Sequence, residues 1–411
     1  MPRTRRDASR PRPVSARPAA ALLAAAAWAL AGCAGSGGAD TRAERPPTAG
    51  NAAGTAATIE TSLAPVERQA LRERALAELE AAAFADWALL RANALEGLQA
   101  APARAAAVAR AGLTDTNPGV RFAASITAGR VAPEDLADAV GSLTSDPDAS
   151  VRIAATYALA RAGASSDAQV SRIGRALLRG GARDRANAAF VLGELGDASA
   201  VPLLLDASRR LNRGETGSLD AARVRLLRLQ IAEALAKLGH KPALATLRAA
   251  LYPSSAEEFE GAVLAAQALG AAGDASSAPE LVRIVERRAG QREVDEQEIA
   301  ERSRRGEVGG GAGGWDFTST EGAFLYPPEL RLAAARSLAE LGFPDGAFVA
   351  DAYDEAPRPA LRSQSAFTWG AIATGPAVAR LAEMLARDPD PMVRTAAAAA
   401  LLDAMRDGSD R

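Results

Sequence analysis

Few side chains in this sequence offer catalytic or metal-binding chemistry. The 411 residues include one histidine, His240, and one cysteine, Cys33. A structural zinc site needs about four cysteine or histidine ligands and a disulfide needs two cysteines, so neither fits this chain. A serine nucleophile would have only His240 as its base, and that residue follows Gly239 in a predicted turn without a catalytic motif. The sequence therefore predicts no enzyme, metal or cofactor, although its many carboxylates leave acid–base catalysis open.

The N-terminal segment has the composition of an export signal. Residues 1–32 hold six arginines and one aspartate, and an apolar run extends from Ala19 to Ala31. This run is shorter than the roughly 20 apolar residues that cross a bilayer, and it has the length of the apolar region of a secretory signal. We predict that residues 1–32 are a signal peptide.

The end of that run resembles the processing site of bacterial lipoprotein precursors. Leu30-Ala31-Gly32-Cys33 has the form of a lipobox. The resemblance implies acylation of Cys33, cleavage before it, and a membrane anchor through the lipid. Because Ala34 follows Cys33, where an aspartate would direct retention, it also implies the periplasmic face of the outer membrane in a Gram-negative cell. The alternative is an ordinary cleaved signal with an incidental cysteine.

Beyond the signal, the chain divides into a tether and a helical array. Residues 33–60 are rich in Gly, Ala, Ser, Thr and Pro, which predicts a flexible tether. Residues 61–411 repeat a pattern of two helices, in which a glycine often ends the second. An arginine recurs near the start of the second helix, and Ala262 replaces it in one unit. The repeat arginines are Arg91, Arg121, Arg152, Arg185, Arg228, Arg331, Arg362 and Arg394.

These units resemble HEAT repeats, in particular the short HEAT-like repeats first associated with phycobilisome lyases. The shared signature is a turn aspartate six residues before the repeat arginine. Three pairs keep this spacing: Asp115 with Arg121, Asp146 with Arg152, and Asp388 with Arg394. The resemblance implies an all-α, right-handed α-solenoid of about nine helix pairs. It also implies a ladder in which each arginine bonds the turn carboxylate of its own unit or of a neighbour, broken where the aspartate is missing.

Aromatic residues mark the longest interruption of the repeat. An insertion at about 289–327 contains Trp315, Phe317, Phe324 and Tyr326, and aromatics on an inserted segment are typical of partner-binding surfaces. The alternative is that the segment folds back onto the array. Trp87 and Trp369 lie within repeats, and we predict that both pack in the core.

The sequence thus predicts a non-enzymatic, lipid-anchored scaffold that binds an unidentified envelope protein or peptide. Stacked helix pairs give a curved array with a long concave face suited to this role. Lyase-like or chaperone-like handling of a small ligand is the alternative. Nucleic acid is excluded as a partner, because the net charge of −2 for the whole chain becomes −7 beyond residue 32.

Overall fold

The computed structural model describes residues 64–286 and 326–406, which form eighteen α-helices in nine outer–inner pairs. The pairs are α1 Pro65–Ala82 with α2 Ala88–Gly97, α3 Pro102–Gly112 with α4 Pro118–Val131, α5 Pro133–Gly141 with α6 Ala149–Arg161, α7 Asp167–Arg179 with α8 Ala182–Leu195, α9 Val201–Asn212 with α10 Ala221–Lys237, α11 Ala243–Ala249 with α12 Phe259–Ala271, α13 Ala278–Glu286 with α14 Pro328–Glu340, α15 Ala347–Tyr353 with α16 Pro359–Ile372, and α17 Gly375–Arg387 with α18 Pro391–Ala404. The described ranges contain no strand, and the predicted all-α solenoid is confirmed.

The turn residues start the inner helices as the sequence predicts. Pro118 occupies the first turn of α4, where a missing N–H costs no hydrogen bond. The carboxylate of Asp148 accepts from the backbone N–H groups of Ser150 and Val151 at the start of α6. The glycines that follow five inner helices all adopt the left-handed backbone conformation. They are Gly163, Gly196, Gly239, Gly273 and Gly342.

Small side chains let neighbouring inner helices approach closely. Ala154 and Ala155 of α6 have no exposed surface, and Ala158 is 2% exposed. Between α12 and α14, the hydroxyl of Ser337 donates to the carbonyl of Ala266 at 2.8 Å. The core is therefore built from many short contacts, which explains how an array with so few aromatics buries its helices.

The nine inner helices form a closed ring. The last inner helix, α18, packs against the first inner helix, α2. The outer helix α1 contacts both of them, as other outer helices contact two neighbouring inner helices. Leu79 of α1 has no exposed surface at this seam, and a Cβ on Gly97 would lie 2.9 Å from both Leu79 Cδ2 and Ala399 Cβ. Nε of Arg394 donates to Glu78 Oε1 at 2.9 Å. The long concave face expected from the sequence is thus the inner surface of a ring.

Tryptophan positions differ in part from the prediction. Trp369 of α16 packs against the core. Trp87 does not, because it precedes the first residue of α2 at a turn and keeps 53% of its surface exposed. No helix in the described ranges is both long and apolar enough to cross a membrane.

Candidate functional site

The candidate residues on the tether and the insertion are mostly outside the described residues. Cys33, Trp315, Phe317 and Phe324 fall there. Tyr326 is described and only 7% exposed, and its hydroxyl accepts from Arg283 Nη1 at 2.6 Å. Its ring meets Phe259 edge-on, with centroids 6.5 Å apart. Tyr326 is therefore a core anchor beside α12 and α13, and its burial does not suit direct contact with a partner.

The predicted ladder has a definite direction. Arg121 Nε donates to Asp146 Oδ2 at 2.8 Å, and Nη2 donates to Oδ1 at 3.0 Å. Its Nη1 donates to the backbone carbonyl of Asp115 at 2.8 Å. Each such arginine therefore binds the carboxylate of the next unit and the main chain of its own turn. Arg91 with Asp115 and Arg362 with Asp388 repeat this arrangement.

Of the three arginines that follow a turn aspartate by six residues, two lack the usual aspartate in the next unit, with different results. Arg394 pairs with Glu78 of α1, so the ladder continues across the ring seam. Arg152 donates to the carbonyls of Asp146 and Pro147 at 2.6 and 3.0 Å, within its own turn. The six-residue Asp–Arg spacing thus identifies the turn, whereas the ion pair joins residues 24 to 26 apart.

Arg121→Met is expected to lower the free energy of unfolding by about 1–3 kcal/mol, because it leaves the carboxylate of Asp146 largely buried without its partner. The Asp146 side chain is 5% exposed. Burial raises its pKa, but the hydrogen bond and charge of Arg121 outweigh burial and lower the pKa below its usual value. Arg152→Met is the matched control, since it occupies the same place in the next unit. Equal urea midpoints for the two variants would contradict the direction of the ladder.

A second set of charges lies at the C-terminal ends of the inner helices. Arg130 of α4 forms an ion pair with Glu194 of α8. Lys237 of α10 donates to Glu194 Oε1 and to Glu233 Oε1, both at 2.8 Å. Arg130 Nη1 also donates to Gln99 Oε1, next to α2, at 2.9 Å. This inner charge network links the first, second, fourth and fifth inner helices.

The network lies on the inner surface of the ring. Helix α6 lies between α4 and α8. In a curved array, side chains of two helices that flank a third meet only on the concave side, because the outer helices cover the convex side. Tyr157 of α6, beside this pair, is 2% exposed. The charged side chains stay partly accessible, with 18% exposure for Arg130, 15% for Glu194 and 23% for Lys237. They can therefore meet a bound molecule.

Mutual pairing fixes the charge state of this network. Burial would raise the pKa of Glu194, but the charges of Lys237 and Arg130 lower it to about 2. Burial would lower the pKa of Lys237, but Glu233 and Glu194 raise it. Glu96 of α2 differs, because burial raises its pKa to about 8 against the opposing charge of Arg130. Near neutral pH the network presents fixed charges of both signs, while Glu96 is mostly protonated.

Contacts of Arg336 add to this surface. In α14, Arg336 Nε donates to Glu340 Oε1 at 2.9 Å, and the guanidinium lies 5.5 Å from the ring centre of Phe367. Among the described residues, no group of three or more His, Cys, Asp or Glu side chains is arranged to hold a metal ion. The inner surface thus offers ionic and aromatic contacts to a binding partner.

The sequence analysis missed this surface, although a signal was present. The position nine residues after the repeat arginine is charged in six of the nine units. These residues are Arg130, Arg161, Glu194, Lys237, Glu340 and Asp403. Their common place in the repeat would have put them on one side of the ring.

Comparison with known proteins agrees with the repeat architecture. The family model for HEAT repeats matches residues 325–402, and the model for the PBS lyase HEAT-like repeat matches residues 184–210 and 227–252. The described residues form an all-α solenoid, and these matches show that parts of the chain are similar to HEAT repeats. No curated protein matches the chain.

Three solved structures show some likeness to the chain at low sequence identity. The complex of CpcE and CpcF of phycocyanin lyase from Nostoc sp. PCC7120 is 20% identical, with a TM-score of 0.34, covering 63% of this chain and 91% of that one. Human deoxyhypusine hydroxylase is 18% identical, with a TM-score of 0.32, and the match covers 73% of this chain and 96% of that one. Kap121p is 14% identical, with a TM-score of 0.29, and the match covers 82% of this chain and 42% of that one.

Proposed function

We propose that this protein is a non-enzymatic interaction scaffold, held at the bacterial envelope by a lipid on Cys33, whose inner surface binds a protein or peptide. The observation that carries the proposal is the inner charge network of Arg130, Glu194 and Lys237. These charges are held in place by one another and remain partly accessible. A rigid set of charges of both signs loses little entropy on binding and selects partners with a complementary pattern.

Arg161→Glu is expected to remove envelope partners recovered by cross-linking from intact cells and mass spectrometry. Arg161 is exposed and lies nine residues after Arg152, at the repeat position of the inner charge network. Reversing its charge places repulsion on the inner surface without disturbing the core. Arg175→Glu is the matched control, because Arg175 is exposed on the neighbouring outer helix α7. Loss of the same partners in both variants, or in neither, would contradict binding at the inner surface.

Cys33→Ser is expected to prevent lipidation, because serine lacks the thiol that accepts the lipid. The proposal rests on the lipobox-like Leu30-Ala31-Gly32-Cys33. Acyl chains add about 0.8 kcal/mol of membrane affinity for each buried methylene, so the variant should leave the membrane fraction. Detergent phase partitioning and the mass of the mature N-terminus measure this. An unchanged membrane fraction with unchanged processing would contradict the lipid anchor.

A further inference from the structure

The outer surface of α7 carries a row of arginines without acidic partners. Arg172, Arg175 and Arg179 follow one another at spacings of three and four residues, so they lie on one face of the helix. All three are exposed, and none of them has an ion pair or a side-chain hydrogen bond with a described residue. The opposite face of α7 is core, because Ile173 and Leu177 have no exposed surface. We call the three residues the arginine row.

The arginine row differs from other charged positions of the array in having no carboxylate beside it. Arg121 binds the carboxylate of Asp146 in the next unit, and Arg130 forms an ion pair with Glu194. Like charges three and four residues apart on a helix repel one another and reduce its stability. The arginine row therefore carries an electrostatic cost that no described residue offsets and that an anionic partner would remove.

The surroundings of the arginine row are also basic. Residues 171–213 hold eight arginines and four acidic residues, a net charge of +4, whereas the chain beyond residue 32 has a net charge of −7. Arg209 and Arg213, at the end of the next outer helix α9, keep 62% and 55% of their side chains exposed. The preceding outer helix α5 limits the basic surface, because its exposed residues include Glu134, Asp135 and Asp138. The basic surface thus covers α7 and α9.

The phosphate groups of lipids suit this surface. An arginine guanidinium binds phosphate through two parallel hydrogen bonds, and a row of arginines can meet several headgroups at once. The lipid proposed on Cys33 would keep a bilayer within reach. The 30 residues 34–63 that separate Cys33 from α1 extend to at most about 100 Å, more than the roughly 60 Å width of a ring of nine helix pairs. Such a linkage gives even a weak contact a high effective concentration.

We propose that the arginine row, together with the exposed arginines of α9, docks the ring onto the phosphate groups of an anionic lipid bilayer. The proposal rests on the proposed lipid anchor at Cys33, which supplies the proximity, and it adds an orientation. The outer side of α7 and α9 faces the bilayer, and both openings of the ring stay free for a partner. Because the contact is with lipid, Arg175→Glu should leave the list of protein partners unchanged.

Vesicle flotation tests this docking, with the processed form of the chain that begins at residue 33 and carries Cys33→Ser. Residues 1–32 are left out, because their six arginines would themselves bind anionic lipid. We expect binding to vesicles of phosphatidylglycerol and phosphatidylcholine in equal parts, and no binding to phosphatidylcholine alone. Raising NaCl from about 0.05 M to about 0.5 M should release the chain, because the Debye length falls from about 14 Å to about 4 Å.

Two triple variants separate the arginine row from net charge. Arg172→Gln, Arg175→Gln and Arg179→Gln together keep the helix propensity of α7 and should weaken partition into the anionic vesicles at least about tenfold. The matched control carries glutamine at three exposed arginines of α1 and α3, which are Arg68, Arg74 and Arg110. It removes the same charge farther than a Debye length from the bilayer, so it should change partition less than about threefold.

Equal binding to both kinds of vesicle, equal losses in the two triple variants, or no binding at millimolar lipid would overturn the proposal. Binding to polyglutamate without binding to vesicles would also overturn it and would assign the arginine row to an acidic protein. The vesicles carry no protein and the chain carries no lipid. A failure here therefore leaves the separate tests of the lipid anchor and of the inner surface unaffected.

Discussion

Leu79→Ala is expected to lower the free energy of unfolding by about 2–5 kcal/mol, the usual loss for a fully buried leucine whose site cannot collapse. Leu79 lies in the first helix of the array, where an open solenoid would leave an outer side chain half exposed. In the ring it has no exposed surface, because α1 covers both α2 and α18. Urea unfolding followed by circular dichroism measures the loss.

Leu71→Ala is the matched control for this prediction. Leu71 lies on the same helix but is only partly buried. It should lose about 1 kcal/mol, because less apolar area returns to water. Equal, small losses for both variants would show that α1 frays from the ring and that the seam does not contribute to stability.

Glu194→Gln is expected to cost about 3 kcal/mol at neutral pH, because it leaves Lys237 and Arg130 without the carboxylate between them. The folded pKa of Glu194 is about 2, below the unfolded value of 4.5. A lowered pKa stabilises the folded state fully above the unfolded value and loses this effect as pH falls through the folded one. The difference between wild type and variant should therefore shrink by more than half from pH 7 to about pH 3.

Glu73→Gln provides the control for this charge effect. Glu73 also pairs with an arginine, Arg104, but its side chain is 46% exposed on the outer helix α1. Exposed pairs contribute about 0–1 kcal/mol, so the control should change little at any pH. A pH-independent difference between wild type and Glu194→Gln would show that packing accounts for the loss and that the charges of the inner network do not.

The repeat architecture could be predicted from the sequence, because it depends on local signals. Arginine spacing and turn prolines give the number of units and the starts of the inner helices, and both agree with the structure. The direction of the ladder could not be predicted. The sequence spacing of Arg121 is compatible with an ion pair to the aspartate of its own turn, Asp115, and with one to the aspartate of the next unit, Asp146. Only the packing of adjacent helix pairs decides between them.

Ring closure and contacts between distant residues could not be predicted from the sequence either, because they also depend on how the helix pairs pack. Closure of the ring depends on a small rotation between successive pairs that accumulates over nine units, and no single residue encodes it. The pair of Arg130 and Glu194 joins residues 64 apart, so it follows from curvature and has no sequence motif. Tyr326 belongs by sequence to the insertion, yet the Arg283 guanidinium and the Phe259 ring hold it in the core.

The distance between the two ends of the array tests the closed ring most directly. Ala77 of α1 and Pro391 of α18 are both exposed, so nitroxide labels at Ala77→Cys and Pro391→Cys, in a Cys33→Ser background, place one spin on each side of the seam. Neighbouring helix axes lie about 8–10 Å apart, so pulsed electron spin resonance should give a single distance below about 30 Å. Nine inner helices in an open row would separate the ends by about 70 Å. A distribution centred near that value would contradict the ring, and with it the enclosed inner surface on which the proposed function depends.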